Sequence, residues 1–331
     1  MSWVTEIRRR LEGELRTPDE IREAAYLLTG DVTAKLTRFW LLLTLSAVIA
    51  TAGIISDSTA TVIGAMIIAP LATPIQGIAV AIAYGEAKPL LHSLGILLMA
   101  TLVVIGIGVA LAALLPELQN PSDNSQITGR ISPTLVDLVA AAATGLAGSF
   151  ALTRRDVGDI LPGVAIAISL VPPLAVVGVT GVEDNFDGAL GALLLYTTNV
   201  LAILVAGVLI FGMTTLRQGR PQIRRRSVLA VLAVMGVVVV AALGVSTYRA
   251  VELSQRLSAA TDVATQWADA NGEHVVGARF EGSTLVILVE GLSDGSQDAK
   301  LPGLLAGSVP TGTDIVINRV AGSRAQSGTV P

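Results

Sequence analysis

The segment SDSTATVIGAMIIAPLATPIQGIAVAI, Ser56 to Ile82, is apolar enough for a bilayer, yet it carries Pro70 and Pro74 in its middle and Asp57 at its mouth. A proline inside a helix removes an amide donor and clashes with the preceding turn. A carboxylate in hydrocarbon is costlier still. Three such residues in one crossing ask for a physical reason.

The same apolar character runs outward from this segment, from Phe39 to Thr247, where charges are sparse and confined to short breaks. Over all 331 residues 52% are hydrophobic and 15% charged, against roughly 25% charged in an ordinary soluble domain. This is the composition of an α-helical polytopic membrane protein, with the lipid bilayer as its first partner. A net charge of −4 without a basic stripe argues against nucleic acid as a partner. The absence of cysteine excludes disulfides, thiolate chemistry and Cys-ligated metals, and with only His92 and His274 no metal site is expected. No cofactor is expected either. Walker A, HExxH and GxSxG patterns are missing, so no enzyme activity and no catalytic residues are expected.

Seven crossings are predicted: Phe39–Ile55, Thr59–Tyr84, Leu90–Leu115, Leu135–Leu152, Ile160–Val182, Ala189–Met213 and Val228–Thr247. Residues 1–38 precede them as cytoplasmic amphipathic helices. Trp3, Val4, Ile7, Leu11 and Leu15 share one helical face that suits the bilayer surface or a packed pair. A second helix begins with Thr17 as N-cap and Pro18 at its first position. The charged N-terminus does not read as a cleaved secretory signal. The N-terminal 38 residues and the breaks at Lys88, Arg154–Arg155 and Arg217–Arg226 hold fifteen Lys and Arg, the intervening loops only Arg130. This bias puts the N-terminus in the cytoplasm and everything after Thr247 outside the membrane. Arg224, Arg225 and Arg226 are candidates for anionic-lipid contact.

Beyond the seventh crossing (228–247), residues 248–320 read as a small extracytoplasmic α+β domain, and 321–331 as a disordered tail. Leu253, Leu257, Ala260, Ala264 and Trp267 form one helical stripe, for packing on the domain's own sheet or on a second subunit. EHVVGARF, STLVILVE and TDIVINRV are the expected strands. Glu273, His274 and Arg279 read as a solvated face. A homo-oligomer is expected.

Shifting the chain by 99 residues lays the opening segment on RDVGDILPGVAIAISLVPPLAVVGVT, matching Asp57 to Asp156, Gly64 to Gly163, Leu71 to Leu170 and Pro74 to Pro173 without a gap. The units are 39–115 and 135–213. Three crossings per unit make the second inverted, a 3+3 inverted repeat with two Pro-broken helices. Paired broken helices in inverted repeats point to a midplane binding site of a transporter. The carbonyls expected to lose partners are those of Met66 and Pro70, then Ile168 and Ser169. Candidate substrate- or ion-binding residues are therefore Gly64, Met66, Pro70, Thr73, Pro74, Gln76, Gly163, Ser169, Pro172, Pro173 and Asn199. Helix N-termini there favour anions and freed carbonyls favour cations. Asp57 and Asp156 sit at opposite ends of their crossings, as ion-coupling groups or as helix caps.

Gly64-Ala65-Met66-Ile67-Ile68-Ala69-Pro70-Leu71, followed by Pro74, resembles the signature of a hydrophobic membrane family of bacteria and archaea catalogued as a domain of unknown function (family 389). The resemblance covers Leu36 to Phe211. It implies a polytopic membrane core with variable soluble appendages and brings no substrate. The reading is a secondary transporter of a small solute or ion, working by alternating access at the broken helices. An oligomeric ion channel, or a sensor or scaffold with an outer binding domain, are the alternatives.

Overall fold

The computed structural model describes residues 15–115, 124–131, 133–157, 170–183, 185–217, 244, 252, 254–281, 284–291, 297–309 and 313–320. The chain divides into two compact units, Met1–Ser246 and Thr247–Pro331.

In the first unit, helix α1 is Pro18–Ala25. Thr17 caps it, Pro18 starts it, and Glu20 completes a capping box by accepting from the Thr17 amide at 2.7 Å. Asp31 caps α2, Val32–Ile55, by accepting from the Ala34 amide. Then come α3 (Thr59–Ile68), α4 (Ala72–Tyr84), α5 (Ala87–Leu114), the short α6 (Ser125–Thr128), α7 (Leu135–Leu152), α8 (Val171–Val182) and α9 (Phe186–Arg217). Among the described residues four helices are long and apolar enough to cross a membrane: α2, α5, α7 and the Phe186–Thr214 part of α9. The pair α3–α4, bent by 47°, makes a fifth if counted as one span. Large apolar side chains such as Leu91, Leu102, Val136 and Leu190 are exposed on these helices, as lipid contact requires. Only the latter half of the expected fifth crossing lies within the described residues, as α8. The expected seventh crossing, residues 1–14, Gly163, Ile168, Ser169 and Arg224–Arg226 lie outside them.

Small residues let the backbones of the bundle approach closely. A Cβ on Gly178 of α8 would meet the Ile105 carbonyl at 2.5 Å and Gly108 Cα of α5 at 2.8 Å. A Cβ on Gly207 of α9 would meet Ala79 Cβ of α4 at 2.7 Å. Between these crossings lie the fully buried Leu71, Ile75, Leu170, Leu174 and Ile203.

Polar contacts tie the loops into two groups. In one, the segment before and after α1 reaches the loops at 85–86 and 153–156. Glu86 accepts from Arg22 Nε at 2.8 Å and from the Tyr26 hydroxyl at 2.7 Å. The Arg16 amide donates to the Thr153 carbonyl, and Arg155 Nη2 donates to both Glu20 oxygens at 2.8 and 3.0 Å. In the other, Asn124 Nδ2 donates to the Ile54 carbonyl and Gln126 Nε2 to the Thr59 hydroxyl.

Arg155 and the Thr17 cap hold the Glu20 carboxyl down to about 2 from its ordinary 4.5. A folded-state value below the unfolded one means the docking contribution is present above about pH 4.5 and lost as pH falls towards 2. Hydrogen exchange of the Ile21 amide, which donates to the Thr17 carbonyl, is expected to accelerate over that window beyond the intrinsic rate. Unchanged protection down to pH 2 would contradict this account.

In the second unit a helix over 254–270, α10, lies against a three-stranded sheet. Strands β1 (His274–Glu281) and β2 (Thr284–Glu290) form an antiparallel hairpin with an irregularity between Val275 and Gly277. A short helix, α11 (Leu301–Leu305), precedes β3 (Asp314–Val320), which pairs parallel to β2. Leu257, Ala260, Ala264 and Trp267 pack on Leu285, Ile287, Val289, Leu301 and Leu305. The stripe therefore serves the domain's own sheet. Glu273 corrects the solvated-face reading: it is 1% exposed, and Arg319 donates to it at 2.8 Å while also holding Asp298. His274 is exposed, with Nδ1 3.2 Å from Asp269.

Candidate functional site

The break in the opening segment has a local cause. Ala69 is extended (φ −68, ψ 126) because it precedes Pro70. Leu71 returns to the helical region and α4 starts at Ala72, which makes Pro74 the third residue of that helix. First-turn amides have no intrahelical acceptor, so a proline there forfeits no bond. Helix α8 starts at Val171, and Pro173 is again its third residue. The prolines thus begin helices instead of kinking them. The expectation of a freed Pro70 carbonyl is corrected for the same reason: it accepts from the Thr73 amide at 3.1 Å. Ser46 of α2 donates to the Ala65 carbonyl at 2.8 Å and satisfies one acceptor at the end of α3.

Beside the break lies a cavity of about 330 Å³. Pro70, Ala72, Thr73 and Gln76 line it from the broken helix, Phe39 and Leu42 from α2, and Leu152 from α7. Glu23 and Arg38, both exposed, stand at its rim with Lys35, Tyr26 and Leu27. Gln76 is 3% exposed; its Oε1 accepts from the Ser149 hydroxyl at 3.0 Å, and its Nε2 has no hydrogen-bond partner. A buried amide nitrogen left without a partner costs about 1–3 kcal/mol, so it calls for an acceptor. Among the described residues neither the Thr73 hydroxyl nor the Arg38 guanidinium makes a hydrogen bond. No side chain caps the N-terminus of α4. Lys35 Nζ donates to the carbonyls of Glu23 and Tyr26, which folds the α1–α2 connection over the rim. Burial, followed by the Glu86 carboxylate, pushes the Tyr26 hydroxyl up, so it stays a donor.

Of the expected site residues, the cavity brings together Pro70, Thr73 and Gln76. Met66 and Pro74 are buried near the break, Pro172 and Pro173 are buried in α8, and Asn199 is buried in α9, but none of them lines it. Gly64 lies on the exposed face of α3 with nothing within 4 Å of a would-be Cβ. No described residue of α8 lines the cavity, and residues 158–169, which precede it, lie outside the described ones. Lys35, Arg38 and Ser149 were not anticipated as site residues.

The two aspartates lie in the two different loop groups, and neither lines the cavity. Asp57 does not cap its own helix: Ser58 caps α3. Asp57 adopts a left-handed φ of 50° and its Oδ1 accepts from the Ser125 hydroxyl at 2.7 Å and the Gln126 amide at 3.1 Å. These bonds, the Ser125 hydroxyl first, hold its carboxyl below the ordinary value. Asp156 accepts two hydrogen bonds from Arg154, at 2.6 and 2.7 Å. Both are loop clamps in this structure.

Residues 66–205 match the family model described as Domain of unknown function (DUF389). An uncharacterized protein of Methanocaldococcus jannaschii is 34% identical over 202 residues, 61% of this chain and 62% of the relative. That match spans less than two thirds of the relative's length. No solved structure matches the chain. Residues 66–205 are thus similar to a family of unknown function.

Proposed function

We propose that this protein carries a small solute or ion across a bacterial or archaeal inner membrane by alternating access, with the solute held at the α3–α4 break. The observation that carries the reading is the buried, unbonded amide nitrogen of Gln76, which lines a cavity at a mid-helix break. Irregular backbone inside a membrane bundle survives where protein or a cavity satisfies it, and such sites recur in secondary transporters.

A duplicated architecture also favours it. Helices α4 and α8 begin at Ala72 and Val171, and α5 and α9 at Ala87 and Phe186, both 99 residues apart. The close pairs Gly108–Gly178 and Ala79–Gly207 exchange partners under the same shift. Such pairing supports two related three-helix units, and the odd count supports their opposite orientation. The N-terminus and the loops at 85–86 and 153–156 then face the cytoplasm, and the 54–59 and 124–128 loops face outside with the C-terminal unit.

Purified protein in proteoliposomes is expected to exchange solute saturably, and Gln76→Leu to slow that exchange about tenfold, the weight of one good hydrogen bond. Continuous single-channel current in place of saturable exchange would replace this reading with a pore.

A further inference from the structure

We propose that the cavity binds a small oxyanion, a carboxylate in the form taken for the test. This takes the cavity as the solute site, and so rests on the proposed function for the place but not for the transport.

The argument is a census of donors and acceptors. Two of the acceptors at the break have partners, since Ser46 holds the Ala65 carbonyl and the Thr73 amide holds the Pro70 carbonyl, while Pro70 offers no amide to the Met66 carbonyl. The donors lack partners. Gln76 Nε2 is buried and unbonded because Ser149 occupies the other end of the amide. Arg38 and the Thr73 hydroxyl have no hydrogen-bond partner among the described residues. The 13-residue helix α4 begins in the lining without a side-chain cap; Pro74 has no amide and the Pro70 carbonyl takes that of Thr73, which leaves the Ala72 amide as the donor of its first three positions. Lys35 adds a second cation at the rim, while Glu23 is the only acidic residue in the lining and is exposed. A cation would find one solvated carboxylate among the lining side chains. An oxyanion finds a guanidinium, a hydroxyl, an amide and a helix start. Phe39, Leu42 and Leu152 offer a short apolar side chain a wall, and about 330 Å³ admits one.

The test uses the full chain in detergent, and the reporter is the midpoint of thermal unfolding, which a bound ligand raises by mass action. The probes are acetate, lactate, benzoate, succinate and phosphate, set against acetamide, lactamide, benzamide and tetramethylammonium. At least one anion is expected to raise the midpoint in a saturable way while its amide does not. Arg38→Gln and Gln76→Leu are each expected to weaken that anion about tenfold. Thr73→Val provides a third variant, and each variant's own midpoint without ligand shows that it folds. Stabilisation by the amides or by tetramethylammonium as good as by the anions overturns the proposal. So does the failure of all five anions, or anion binding that all three variants leave unchanged. Anion binding without exchange in proteoliposomes supports the oxyanion site and sinks the transport reading. Exchange of a cation or an amide in preference to every anion keeps transport and sinks the oxyanion.

Discussion

Gly178→Ala destabilises the membrane unit by about 2 kcal/mol, although alanine is the better helix former by about 1 kcal/mol. The added methyl would sit 2.5 Å from the Ile105 carbonyl, 2.8 Å from Gly108 Cα and 2.8 Å from the Val109 amide. All three are backbone, so no side chain can rotate away and the helices α5 and α8 must separate. Separation takes every contact along that crossing with it, including those of the buried Leu174 and Ala175. Gly181 supplies the control within the same helix, since a Cβ there meets nothing within 4 Å. Gly181→Ala is expected to be neutral or stabilising by up to about 1 kcal/mol. Denaturation of both variants in mixed micelles reads the difference. Equal effects of the two substitutions would remove the close crossing from the account.

Arg319→Met costs the second unit about 3–5 kcal/mol, because it strands a carboxylate that has almost no access to water. The Glu273 side chain is 1% exposed, and Arg319 bonds it at 2.8 and 3.4 Å. Gly291 presses on the same side chain: a Cβ there would meet Glu273 Cγ at 2.6 Å, so the carboxylate has little room to swing into solvent. Adding Glu273→Gln to Arg319→Met is expected to recover much of the loss, since the buried group is then neutral and Asp298, about a third exposed, stays solvated. Amide exchange of Leu285–Val289 in β2, the central strand, reports the change. Parent-like exchange in Arg319→Met would show that the pair contributes nothing.

What local pattern could reveal, the chain revealed. Thr17 and Pro18 announce a helix start because both act at its first positions. Pro70 and Pro74 mark the break at its true place, but their role depends on where α4 restarts. A reading that continues one helix through both makes Pro74 an interior residue; in the fold it is a first-turn one. Glu273 was out of reach for a different reason. Its neighbours His274 and Arg279 suggest solvent, whereas its partner Arg319 stands 46 residues away on another strand. Lys35 and Arg38 were visible as charges that orient the membrane, yet only the fold shows that they line a cavity beside the Tyr26 carbonyl that Lys35 holds. Ser149, 73 residues from Gln76, gave no signal beyond being a polar residue in an apolar helix.

The contacts of the α1 segment imply an order of assembly. Its acceptor Glu86 follows Arg22 by 64 residues, and Arg155 follows Glu20 by 135. On a growing chain the first part made therefore waits for partners that emerge much later, and such long-range closures are slow. Glu86 can engage while α7 is still unmade; the bonds to Thr153 and Arg155 cannot form until α7 is complete. The bonds of this segment can therefore form in two stages, the second only in a chain synthesised as far as Arg155.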